Sequence, residues 1–113
     1  MAKQKKSTPV NETLLLNIRE ALMNREHVVE KSMFGGICFM VNDKMCICVR
    51  GDHMMCRVGP EDYETYLEER GCEPMVHGGR LMKGYIYVYE EGYKRATDFR
   101  KWIHRALAYN DKL

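Results

Sequence analysis

A chain of 113 residues with 45% hydrophobic and 30% charged side chains has the length of one domain with one core and an ordinary globular balance. Its formal net charge of +2 falls short of the clustered basic excess of a dedicated nucleic-acid binder, and no apolar run approaches the ~20 residues that cross a bilayer. Five cysteines, an odd count behind a polar N-terminus that does not read as a secretory signal, argue against a disulfide framework and for free thiols in a cytoplasmic protein with no membrane attachment.

Residues 1–8 (MAKQKKST) read as a disordered basic lead, with Lys3, Lys5 and Lys6 solvated, and residues 9–113 as a single domain. Thr8-Pro9 is a good helix start. Val10, Leu14, Leu15, Ile18 and Leu22 recur at helical spacing, which predicts a helix ending near Glu26. Four strand-like runs follow: His27–Phe34, Ile37–Val41, Lys44–Arg50 and His53–Val58. Gly35-Gly36, Asn42-Asp43 and Gly51-Asp52 separate them, so the segment reads as an antiparallel meander with tight turns. Gly59-Pro60 predicts the opening of a second helix that Gly71 ends. Glu73–Val76 reads as a short strand, His77-Gly78-Gly79 as a turn, Tyr85–Tyr89 as a strand and Glu90–Tyr93 as a loop. Thr97 is placed to cap a last helix whose buried stripe is Phe99, Trp102, Ile103, Ala106 and Leu107. The order predicts an α+β two-layer sandwich, with an antiparallel sheet of about five to six strands covered by the N- and C-terminal helices.

The segments MFGGICFMVNDKMCICV (33–49), MCRVGPEDYETYL (55–67), EPM (73–75), GRLMKGYIYV (79–88) and FRKWIHRALAYN (99–110) stand in an order and spacing that closely resemble the N-terminal domain of the TfoX/Sxy family. The likeness covers nearly the whole chain beyond the lead. It implies a secretion-chaperone-like α+β fold and a link to the bacterial competence regulators that give the family its name. Those regulators carry a second, helical domain, so a chain ending at Leu113 corresponds to the stand-alone form. One departure is Leu81, where relatives often carry proline, and it bears on the local turn.

Chemistry-bearing residues are sparse. Strand alternation puts Cys46 and Cys48 on one face, with Cys56 and His53 nearby if the fourth strand pairs with the third. No Cys-x-x-Cys pair or clear fourth ligand accompanies them. The cysteines are therefore expected to pack as small hydrophobes, with no metal site, no cofactor and no catalytic set. The four histidines are scattered. Gly35-Gly36 reads as a bulge or tight turn. Tyr85, Tyr87 and Tyr89 share a strand face, suited to core packing or a dimer interface. The stretch best fitted to a ligand or partner is Gly79, Arg80, Lys83 and Gly84, read as a flexible basic loop, with Arg57 as a further cation on the sheet. The leading expectation is a non-enzymatic regulatory module that binds protein, with a homodimer plausible at a sheet edge or face. The alternatives are weak nucleic-acid binding through the lead, Arg80 and Lys83, and binding of a small anionic ligand or an unrecognised activity at the same loop.

Overall fold

In a computed structural model that describes residues 10–113, the elements run α1 (Glu12–Leu22), β1 (Val28–Met33), β2 (Gly36–Val41), β3 (Lys44–Arg50), β4 (His53–Arg57), α2 (Tyr63–Leu67), β5 (Cys72–His77), β6 (Arg80–Val88), α3 (Glu90–Tyr93) and α4 (Ala96–Asn110). The six strands form one antiparallel sheet in the order β1-β2-β3-β4-β6-β5. The predicted α+β architecture is the observed one.

Several boundaries differ from the sequence reading. The expected start at Thr8-Pro9 lies outside the described residues. Asn11 caps α1, its side-chain oxygen accepting from the Leu14 N–H at 2.9 Å, and the helix stops at Leu22 rather than Glu26. α2 starts at Tyr63, four residues after Gly59. Glu90–Tyr93 is a helical turn, not a loop. Arg95, not Thr97, is the N-cap residue of α4, and no side chain caps that end.

The tight turns are where the residues allow them. Asn42 and Asp43 both take positive φ, 54° and 67°, the two-residue geometry that suits a right-twisted hairpin. At the β3–β4 turn Gly51 has φ 56°. Each hairpin therefore turns within two residues, and the meander forms from local contacts.

The two faces of the sheet have different covers. One carries Phe39, Val41, Ile47, Val49, Met54, Cys56, Ile86 and Val88, which pack against Leu14, Ile18 and Leu22 of α1 and Trp102, Ile103 and Ala106 of α4. At the far end of α4, Asn110 is buried. Its amide donates to the Val41 carbonyl at 3.0 Å, so the end of β2 is tied to the last turn of the helix.

α2 is held to α4 by a charged cluster. Glu69 accepts from Arg105 Nη2 and pairs with Lys101 Nζ, each at 2.8 Å. Burial works against ionisation of Glu69, but the hydrogen bonds from Arg105 and Lys101 outweigh it and hold the carboxyl below its usual value. A carboxylate with a lowered folded-state pKa stabilises the fold above its unfolded pKa, and that contribution is lost as pH falls through the folded value. Urea midpoints measured between about pH 6 and about pH 3 should therefore fall on acidification, and Glu69→Gln should flatten the fall. An unchanged slope in the variant would remove Glu69 from the acid response.

Candidate functional site

The basic stretch expected as a flexible loop is a strand. β6 begins at Arg80, directly opposite His77, and Leu81 stands opposite Val76. Gly78 and Gly79, at φ 60° and 77°, make the two-residue turn between β5 and β6, with open space around both. Arg80 and Lys83 are therefore exposed on an ordered hairpin arm. Past Leu81 the ladder is interrupted: Met75 alone on β5 faces the stretch Met82–Tyr85 on β6 before pairing resumes at Pro74 and Ile86. Gly84 lies inside this irregularity at φ 94°. Its carbonyl accepts from the Val58 and Gly59 N–H groups at 2.8 and 3.1 Å, and an added Cβ would meet Gly59 backbone at 3.1 Å. Glycine is needed there as a joint between β6 and the end of β4.

Arg57 is placed elsewhere. It pairs with Tyr85 in register, and its guanidinium lies 5.3 Å from the Tyr85 ring and 5.7 Å from that of Tyr109. Five residue steps of β6, up to roughly 16 Å of extended chain, separate its partner Tyr85 from Arg80. The structure groups Gly79, Arg80 and Lys83 on the arm, and Arg57 with the aromatic residues at the arm's base.

The sheet face away from α1 and α4 holds a second, smaller core. Cys38, Cys48, Met55 and Met75 are buried in it, with Met33, Phe34, Met45, Met82, Tyr85 and Tyr87 packed around them. Among the described residues, no helix packs on this face. The sheet covers itself: Phe34, at the end of edge strand β1, meets His77, at the end of edge strand β5, with ring centroids 4.8 Å apart. The two hairpin tips thus reach toward each other over the buried sulfur atoms.

Two expectations about the cysteines are overturned here. Cys46 and Cys48 do not share a face. Phe39 pairs with Ile47 and Met40 with Met45, which leaves Cys46 as the extra residue of a β-bulge. The bulge resets the alternation, so Cys46 joins the helix-covered core with Cys56, and Cys48 faces the opposite way. Nor are all five thiols free. Cys38 and Cys48, direct cross-strand partners with Cα atoms 4.0 Å apart, are joined as a disulfide.

Cys46, Cys56 and Cys72 are free. Burial pushes the Cys46 thiol up to about 12 and the Cys72 thiol up to about 11, and raises Cys56 well above the usual range. None of the three is a thiolate near neutral pH, and the thiolate is the nucleophilic form. Burial, with Arg50 next, lowers the pKa of His53. Its ring is stacked on Tyr89 at 4.7 Å and meets Tyr87 edge-on at 5.0 Å. Among the described residues, no group of three or more His, Cys, Asp and Glu side chains is placed to hold a metal ion, and no helix is long and apolar enough to cross a membrane.

A family model described as the TfoX N-terminal domain matches residues 20–109. The chain belongs to the TfoX N-terminal domain family. The match runs from within α1 to the last turn of α4, and so takes in all six strands and both cores of the TfoX-type domain. No curated protein matches the chain, and no solved structure does.

Proposed function

We propose that this TfoX N-terminal domain is a non-enzymatic regulatory module that acts by binding protein, and that the β5–β6 arm is its contact surface. The observation that supports this is a cross-strand apolar pair left in solvent: Val76 and Leu81 face each other in register and are 52% and 60% exposed. Arg80 and Lys83 flank the pair on the same strand, and β5 is a sheet edge with open backbone groups. An apolar centre with a basic rim suits an acidic partner that carries an exposed apolar side chain. The family name supports competence or transcription control as the process, in the cytoplasm. A homodimer is a further element of this proposal.

The test is paired affinity capture at physiological salt with the wild type and a Val76→Ser/Leu81→Ser variant. A stoichiometric partner held by the wild type and lost by the variant is the expected result. Equal recovery, or no stoichiometric partner, would overturn it. Titration with short DNA and RNA at two salt concentrations separates the nucleic-acid alternative: steeply salt-dependent binding, weakened by Arg80→Glu/Lys83→Glu, would move the function to that class.

A further inference from the structure

We propose that the reduced Cys38–Cys48 pair, together with the Met55 thioether, forms a binding site for one soft monovalent metal ion of the Cu(I) class. Three sulfur-bearing residues stand side by side on three adjacent strands: Cys38 on β2 opposite Cys48 on β3, and Cys48 opposite Met55 on β4. Directly opposed residues on one face have Cβ atoms about 4.5–5.5 Å apart. Two sulfurs that share a metal at roughly 2.3 Å each lie at most ~4.6 Å apart. The same backbone therefore accommodates the disulfide and a bridged ion, and rotation of the cysteine side chains converts one into the other.

The surroundings support an ion rather than packing alone. A partly open chamber of about 20 Å³ adjoins Cys48 and Met55 and is also lined by Met33, Phe34 and Met75. That is room for about one water-sized sphere. Four of its lining residues, Met33, Cys48, Met55 and Met75, carry sulfur, and Arg50, His53 and Tyr87 share the wall. Thiolate and thioether donors are those that favour Cu(I) over hard or borderline ions. Arg50 also lines the chamber and is positioned to offset the single negative charge of a Cu(I) bis-thiolate.

Loading requires the dithiol. A dithiol reductant supplies two electrons and two protons, the Cys38–Cys48 bond breaks, and the reductant closes its own disulfide. Binding of Cu(I) then releases both thiol protons. Each thiolate donates a sulfur lone pair to the metal, whose oxidation state does not change.

The experiment uses the full chain, reduced anaerobically with a phosphine, which takes up the oxygen of water and passes its protons to the thiols without offering a competing thiolate. Cu(I) is then titrated against a chromogenic Cu(I) chelator. The expected result is one Cu(I) retained per chain, with copper X-ray absorption showing sulfur neighbours only. Cys72→Ser should bind as the wild type does. Cys38→Ser/Cys48→Ser should lose retention. Met55→Leu, a volume-conserving change that leaves the core filled, should weaken binding on the order of tenfold, the scale seen when a supporting group of a metal site is removed. Failure of the wild type to compete, nitrogen or oxygen neighbours at the metal, or retention by the double serine variant would each overturn the proposal. If the double variant does not fold, the Met55→Leu comparison still decides, because equal affinity there would remove the thioether from the site.

Discussion

Gly36→Ala is expected to destabilise the protein by roughly 3 kcal/mol or more, the upper range for forcing an atom into a packed site. The Cβ it adds would overlap the Val49 carbonyl oxygen and lie 3.0 Å from the Val49 carbonyl carbon and 3.1 Å from the Arg50 Cα. Every one of these atoms is β3 backbone, so no side chain can swing aside. Relief requires β2 to move off β3, and with it the pairs Cys38–Cys48 and Phe39–Ile47. Gly35→Ala is the informative control. Gly35 has φ 74°, a conformation that favours glycine, but its nearest neighbour is the flexible end of Arg50 at 3.3 Å. That change should cost only about 1 kcal/mol. Urea denaturation of the two variants tests the ranking, and a Gly36 variant as stable as the Gly35 variant would refute the close approach.

Trp102→Ala is expected to cost about 3–5 kcal/mol, the range for deleting a buried aromatic ring. Against a typical domain stability of about 5–15 kcal/mol, that places the variant near the unfolding threshold. Trp102 is 1% exposed and sits where the sheet, α2 and α4 converge. Its ring meets Tyr66 edge-on at 5.9 Å, and the Arg105 guanidinium lies 4.6 Å from its centre. The same guanidinium lies 3.8 Å over the Tyr66 ring, and its Nη1 is buried without a hydrogen-bond partner. The faces of the two rings are thus the local compensation for an orphaned donor. Removing Trp102 opens a cavity and takes one of those faces away. Trp102→Phe should recover a substantial part of the loss. Far-UV circular dichroism during thermal unfolding is the measurement, since the protein's one tryptophan is itself removed. A variant within about 1 kcal/mol of wild type would mean that the site collapses around the gap.

The meander was legible because its turns announce themselves. Asn42-Asp43 and Gly51-Asp52 carry residues that tolerate positive φ, and between them the apolar runs are strand length. The family was legible from the same segment. The bulge at Cys46 was not. MCIC alternates evenly on paper, no glycine or proline marks the extra residue, and the pairing partner decides where it falls. One unmarked residue was enough to reverse the predicted grouping of the cysteines. The strand character of Arg80–Gly84 was hidden by a lysine and a glycine in a row, which resemble a loop until β5 supplies the missing ladder. The closure of the second face rests on Phe34 and His77, 43 positions apart, a contact that no local pattern encodes. The basic arm was found by composition. The sulfur row of Cys38, Cys48 and Met55 spans three strands and exists only once their register is set.

The edges of this sheet also bear on how copies of the chain can assemble. Among the described residues, the open sheet has two margins, β1 and β5. Strand addition that joins the β5 of one molecule to the β1 of the next is head-to-tail, and unless its rotation closes a ring it runs on as a filament. Pro74 in the middle of β5 has no amide hydrogen to offer an incoming strand, so that polymerising contact is handicapped at one end. A β1-to-β1 pairing stays open, and because it uses the same margin twice it terminates at two copies. One proline therefore sets a limit on growth: it disfavours the endless fibre while leaving the closed pair available.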